Sequence, residues 1–418
     1  MFKIAKIAYR NLLRYSRRTL LTSSLVIIGI VTVLVFIAVA GSFKQLMVGQ
    51  ITDSMMGHLQ VHRKGYVASI DNSPLNLNLP TKQVANLEEI LTEDKSVESY
   101  SLRLKFGGML SNFTETSNIR LNGINPEQEL QTVPLLVQRV SGNNPDSKEM
   151  PTLQRGQIWL PEALAKGMKI KTGDQVVLVA TNKDGSVNGI PLEVSGIIGT
   201  MTGPGGRDGY LNIKDAYQLL RIKAGEVNEV AIRLNNFELI DQNYGQLNQT
   251  LAEFQNKNDK PVFEVHTWQK LSPFSNIAKI IDLLTLFVKI ILIAIVLVSI
   301  MNVMLMAVYE RIREIGTIAA MGTSPRKIWS LFLMEGLFLG IFGAVSGSLI
   351  SIGIIQYLNW QQIIFSFGKQ DALVLSPTIA VSEVIITAVI VIVISALASL
   401  QPAVKASRLE PVDALGHF

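Results

Sequence analysis

Four long stretches of this sequence contain no charged residue, and that gap limits the possible folds more than any motif does. Between Arg18 and Lys44 lie 25 uncharged residues, between Lys289 and Glu310 another 20, between Glu335 and Lys369 33, and between Glu383 and Lys405 21. About 20 apolar residues in a helix cross the roughly 30 Å hydrocarbon core of a bilayer. Four transmembrane helices are therefore predicted: at 19–41, inside 276–309 behind a short stalk end, at 325–358 and at 379–402. Only 17% of the 418 residues are charged, against about a quarter in soluble domains, which excludes an ordinary soluble enzyme. The absence of Cys rules out disulfides, iron–sulfur clusters, Cys-ligated zinc and a cysteine nucleophile.

The first stretch has a basic start and ends in Ala38-Val39-Ala40, as a secretory signal does. Its apolar run exceeds the roughly 7–15 residues of such signals, so an uncleaved anchor is the better reading. Lys and Arg then set the orientation. Residues 1–18 carry six basic and no acidic residues, and the 309–327 segment carries Arg311, Arg313, Arg326 and Lys327. By the positive-inside rule both face the cytoplasm. The expected topology is N-in/C-in, with residues 42–275 as one large extracytoplasmic domain, 359–378 as a second outer loop and 403–418 as a cytoplasmic tail. Segment 42–275 holds 23 basic and 25 acidic residues, whereas the rest holds 15 and 8. The basicity flanks the membrane, and nucleic acid is not an expected partner. Lys3, Lys6, Arg10, Arg14 and Arg17 recur at helical spacing, which predicts an amphipathic helix over 1–18 lying on anionic lipid.

The 42–275 segment reads as α+β. Strands are predicted at 59–63, 100–106, 175–180, 192–198 and 229–234, helices at 161–168, 214–222 and 236–255, and loops at 141–151 and 202–209. Catalytic chemistry is thin. His58 and His62 would stand some 13 Å apart on a strand of about 3.3 Å rise, so no metal site is expected. Gly203, Gly205, Gly206 and Gly209 miss the dinucleotide-binding spacing, with Asp208 where the third glycine belongs. There is no Gly-Lys-Ser or Gly-Lys-Thr to cradle nucleotide phosphates. A non-catalytic chain with no cofactor of its own is expected.

Residues 309–340, YERIREIGTIAAMGTSPRKIWSLFLMEGLFLG, place Ile312, Ile315 and Ala319 on one helical face with Glu310, Arg311, Arg313 and Glu314 exposed around them. A short amphipathic helix over 310–324 is predicted, with Pro325 opening the third span. Gly336, Gly340, Gly343 and Gly347 form a small-residue stripe along that span, inviting close packing against the first span of the same chain or against a dimer partner. Glu335 and Lys289 are expected to snorkel to water at the membrane borders.

The run Glu310-Arg311, Arg313-Glu314-Ile315-Gly316, Met321-Gly322, Phe332-Leu333 and Glu335-Gly336 resembles the FtsX-like permease domain of MacB-type exporters and LolC/LolE lipoprotein-releasing permeases. Pro402-Ala403, Ala406-Ser407-Arg408-Leu409 and Pro411 to Leu415 resemble that domain's tail, so the likeness covers about 280–415. Gly57-His58-Leu59-Gln60-Val61 and 156–179 resemble the MacB-like periplasmic core more loosely. The resemblance implies a permease of a type VII ABC transporter in a bacterial inner membrane. Two copies of a separate ATPase subunit would bind the ATP and Mg, and a second permease, self or paralogue, would complete the assembly. It further implies that the helix after the second span docks into the ATPase, a role that falls on Glu310, Arg311, Arg313, Glu314 and Gly316. Lipoprotein release is the leading expectation, which the resemblance would pair with lipoproteins or a periplasmic chaperone or adaptor as partners. The alternatives are MacB-type export through a periplasmic adaptor and outer-membrane duct, and FtsX-type signalling to cell-wall hydrolases.

Overall fold

The computed structural model describes residues 2–14, 16–72, 74–142, 152–199, 208–255, 259–367 and 370–410. They fall into two compact units, one of Met1–Gln45, Ala278–Ile364 and Val374–Phe418, the other of Leu46–Ile277 and Phe365–Leu373. The helices are α1 (Phe2–Arg14), α2 (Ser16–Ile51), α3 (Thr81–Glu93), α4 (Pro126–Thr132), α5 (Leu135–Arg139), α6 (Glu162–Gly167) and α7 (Ile213–Leu220). They continue with α8 (Ile240–Ala252), α9 (Trp268–Leu271), α10 (Ser275–Glu310), α11 (Ile312–Ala320), α12 (Pro325–Gln361) and α13 (Val381–Ser407). The strands begin with β1 (Leu59–Arg63), β2 (Val97–Ser111), β3 (Thr116–Ile124), β4 (Val140–Gly142), β5 (Gln157–Pro161) and β6 (Gln175–Thr181). After them come β7 (Val187–Ile198), β8 (Asp208–Asn212), β9 (Glu229–Leu234), β10 (Phe263–Thr267), β11 (Ile363–Phe367) and β12 (Gln370–Leu375).

Among the described residues, four helices are long and apolar enough to cross a membrane: Thr19–Met56, Ser275–Glu310, Pro325–Gln361 and Val381–Ser407. Each exceeds its predicted span, because hydrogen bonding along a helix does not stop where the hydrocarbon would. The helix predicted to end at 41 runs on to Ile51, and a single wide turn, Thr52–Met56, carries it to Gly57 and β1. Large apolar side chains face outward along these helices, among them Phe342, Leu349, Ile385 and Val389. The inward core of the helical unit includes Val26, Ile30, Val296, Ile300, Phe332, Leu339 and Val391.

The small-residue stripe on α12 lies within this bundle. A Cβ at Gly336 would land on the Ser399 side chain, and one at Gly340 would lie 2.5 Å from Ser395, so this end of the stripe closes on α13. Gly343 and Gly347 take α2 instead, with Val26 and Ile30 within 2.6 and 2.9 Å of the added atom. Ser395 and Ser399 turn their hydroxyls back to Val391 O and Ser395 O, at 2.6 and 2.5 Å, and so enter the apolar seam with their donors satisfied.

In the other unit the strands follow the order β10-β1-β9-β2-β3-β8-β5-β7-β4, and β6 joins β2 to β7. The path β2-β3-β8-β5-β7-β6 therefore returns to β2 and closes a six-stranded ring. Its interior holds Leu104, Phe106, Leu121, Ile158, Leu178, Val194 and Leu211. The 15-residue β2 serves both parts, because its first half pairs with β9 and its second with β3 and β6. Strands β1, β6 and β9 coincide with predicted segments to within a residue, whereas β3, β5, β8 and β10 fall where none was expected. The two predicted loops are largely outside the described residues, which is also where Gly203, Gly205 and Gly206 lie. Their edges differ from expectation: 141–142 belongs to β4, and Asp208 and Gly209 to β8.

One buried ionic cluster ties the ring to its extension. Arg103 on β2 donates to Glu129 of α4 at 2.7 and 2.9 Å and to Glu229 of β9 at 2.8 Å. Glu229 also meets Lys105 at 2.7 Å and His62 of β1 at 3.3 Å. Burial alone would lower the Arg103 pKa, but Glu129 and Glu229 outweigh it and hold the guanidinium charged. Burial likewise works against the Glu229 carboxylate, and Lys105, His62 and Arg103 reverse that, keeping it well below the usual range.

Candidate functional site

Helix α11 is short, and its two faces differ. Ile315 and Gly316 are buried, and Ile315 joins Ile328 and Phe332 in the helical core. Glu310, Arg313 and Thr317 are exposed, and Met321 beyond them is 74% exposed. Gly322 ends the segment in the left-handed region (φ +86°), where a side chain is strained. Ser324 and Pro325 then start α12.

Arg311 departs from the expected exposed position. It is 5% exposed and sits at the turn between α10 and α11. Its Nη1 donates to Glu335 Oε1 at 3.0 Å, its Nε donates to Glu314 Oε2 at 3.1 Å, and its guanidinium lies 5.6 Å from the Phe332 ring centre. Burial would weaken the charge on Arg311, but Glu335 and Glu314 more than restore it. Glu335 therefore does not snorkel. It is 2% exposed on α12 and accepts a second bond, at 2.8 Å, from Asn11 Nδ2 of α1. Lys289 is paired too, with Glu383 at 2.9 Å, but both remain partly exposed. Neither Asn11 nor the Arg311–Glu335 contact was expected from the sequence; the available signal was a lone acid near the start of an otherwise charge-free run.

On α1, Lys6, Arg10 and Arg14 are exposed, while Ala8 is buried and Tyr9 meets Phe338 edge-on at 6.3 Å. The stripe is divided between two helices, since α1 ends at Arg14 and Arg17 lies in α2. The side chains of Lys3 and Arg17 lie outside the described set.

A second set of contacts gathers around the wide turn that follows α2. Asp53 takes a 2.6 Å bond from Arg233 Nη1 and lies 3.4 Å from His58 Nε2. The other ring nitrogen of His58 accepts from Leu234 N at 3.0 Å. His58 and His62 thus have separate partners. Gly57 (φ +72°) passes close to β9, where a Cβ would come 3.0 Å from Ile232 O. Ile51 and Met56 pack with Leu271 and Phe274, so the segment entering the sheet-rich unit is stapled to the one leaving it. Farther along, Lys44 of α2 and Asp282 of α10 form a 2.6 Å ion pair.

Residues 19–250 match the family described as MacB-like periplasmic core domain, more than half of the chain, and residues 286–411 match FtsX-like permease C-terminal. The chain is 27% identical over 293 residues to ABC transporter permease YtrF of Bacillus subtilis, covering 67% of this chain and 62% of that one. It is 23% identical to the lipoprotein-releasing system transmembrane protein LolC of Neisseria meningitidis, over 96% of this chain and 94% of that one. The macrolide export ATP-binding/permease protein MacB of Acinetobacter baylyi is 25% identical over 231 residues, 54% of this chain and 33% of that protein. The chain thus spans less than two thirds of the YtrF relative and about a third of the MacB relative. A MacB-like periplasmic core followed by an FtsX-like permease C-terminal domain places the chain in the MacB/LolC family of ABC transporter permeases.

Proposed function

We propose that this chain is the membrane-embedded transmitter of an ABC transporter, carrying motion from a cytoplasmic ATPase on a separate chain to its sheet-rich domain. The observation that carries this reading is the division of α11 into an anchored face, Ile315 and Gly316, and an exposed face, Arg313 and Thr317, with Glu310 exposed at the end of α10 just before it. A partner gripping the outer face would move the long helices to which the inner face is fixed. In this reading Glu310 and Arg313 meet the ATPase, Glu314 borders the contact, and Arg311 and Gly316 support it from within. The chain is N-in/C-in in the inner membrane, with 42–275 periplasmic and Lys6, Arg10 and Arg14 turned toward anionic headgroups. ATP and Mg belong to the partner subunits, and a second permease completes the assembly.

The substrate we favour is a lipid-anchored protein lifted from the outer leaflet, because the match to LolC is collinear over 96% of this chain. Export of a soluble or amphiphilic compound through an adaptor is the second reading, favoured by the periplasmic core match. The test is affinity purification of the full chain from its own cell in mild detergent, with mass spectrometry of what is retained. An ATPase with lipoproteins is expected. An adaptor and duct in their place would move the assignment to export, and no ATPase would overturn the proposal. In the purified complex, E310R/R313E should abolish stimulated ATP hydrolysis without changing the chain's melting temperature, since exposed charges add little stability. Unchanged hydrolysis would remove α11 from the docking site.

A further inference from the structure

Three helices meet at one carboxylate. Glu335 projects from α12, accepts from Arg311 at 3.0 Å where α10 turns into α11, and accepts from Asn11 of α1 at 2.8 Å. Glu335 and Arg311 are nearly inaccessible, at 2% and 5% exposure, so water does not compete for these bonds and each is stronger than a surface equivalent. Arg311 also reaches forward to Glu314 in the first turn of α11. Its guanidinium therefore spans from the short helix to the long one, while its planar fork restricts the angles at which both bonds survive. Asn11 adds a neutral donor to the same oxygen, and Tyr9 on Phe338 one turn along α12 sets the pitch of α1.

We infer that Glu335 is a positioning residue, the joint that makes α1, α11 and α12 move as one body when α11 is pushed. This rests on the docking role proposed for α11 and adds to it the route by which the push leaves that helix. Without the joint, α11 retains its apolar anchor at Ile315 and the ATPase still docks. Rotation of α11 is then absorbed at the Arg311 turn instead of reaching α12. The amphipathic α1 becomes a third arm, so its attachment also contributes to coupling.

The experiment uses the full chain with its co-purified ATPase in lipid nanodiscs and compares the unmodified complex with E335Q, N11A and E335D, reading kcat and KM for ATP. E335Q is expected to retain the ATPase at unchanged stoichiometry and lose roughly tenfold in kcat at constant KM, within the usual range of coupling between sites. N11A, which leaves the ion pair intact, should lose roughly threefold, and E335D should recover to within about threefold of the unmodified complex. Wild-type kcat in both E335Q and N11A overturns the joint. So does loss of the ATPase from E335Q, which would make Glu335 part of the docking surface, or an E335D complex no faster than E335Q. N11A keeps the test open if E335Q fails to fold. Failure of the unmodified chain to bring down any ATPase would refute the docking reading instead, and is seen before any variant is made.

Discussion

The chain buries an ionic cluster in each unit, and the two are built for different ends. Around Arg103, strands β1, β2 and β9 and helix α4 converge on charges that are all paired inside one sheet-centred body. Around Glu335 on α12 the partners come from α1 and from the turn between α10 and α11, which share no sheet and no continuous ladder with it, so the bonds themselves set the mutual angle. A buried pair is costly to assemble and costlier to leave half-made. In the sheet-rich unit that cost secures a fixed register. In the helical unit it links parts that a transmitter needs to move together.

Breaking the first cluster gives the largest expected effect. Arg103→Ala leaves Glu129 and Glu229 buried without their shared cation, a loss of about 3–5 kcal/mol by analogy with other broken buried pairs. Hydrogen exchange read by mass spectrometry should show β2, β9 and α4 deprotected while α12 and α13 retain wild-type protection. Loss of protection in both units at once would show that the two do not unfold separately. Next comes the helix seam. Gly340→Leu drives a side chain into Ser395, and overpacking of this kind costs about 1–3 kcal/mol. Gly353, on the same helix, has nothing within 4 Å of an added Cβ. Gly353→Leu is therefore the matched control, and equal melting shifts for the two variants would refute the seam.

How far the sequence could reveal these differences depends on the range of the interaction. The long helices were legible because hydrocarbon excludes charge at every position of a run. Strands β1 and β9 were legible because alternation and β-branched residues are local properties. Strand β3, with Ser117, Asn118, Asn122 and Gly123, has poor local propensity and exists because β2 and β8 pair with it on either side. The exposed half of α11 was readable from helical spacing, but the fate of Arg311 was not, since its partner lies 24 positions away on another helix. Arg103 and Glu229 are 126 positions apart, and no window on the chain brings them together.

A smaller effect sharpens the contrast between buried and bordering charges. Lys289 and Glu383 form an ion pair like Arg311 and Glu335, but their side chains keep 29% and 37% exposure. Lys289→Met should change stability by only about 0–1 kcal/mol, as half-solvated pairs do. A loss comparable with Arg103→Ala would mean that this pair is also dry in the assembled protein.

The smallest shift is a pH effect confined to the sheet-rich unit. His266 on β10 is mostly buried, and that burial holds its pKa below the ordinary 6.5, with Glu264 opposing the shift and His62 and Lys270 reinforcing it. A base whose pKa is depressed by folding binds fewer protons in the native state than in the unfolded one, so stability falls as pH drops through 6.5 toward the native value. Glu229 acts lower on the scale. Its stabilising contribution is complete above its ordinary pKa of 4.5 and is lost only as pH falls toward its depressed native value. Acidification from pH 7 to 5.5 should therefore loosen exchange protection in β10 slightly, and His266→Asn should reduce that dependence. A helical unit that loosened equally over the same range would break the contrast, because Arg311 stays charged throughout it.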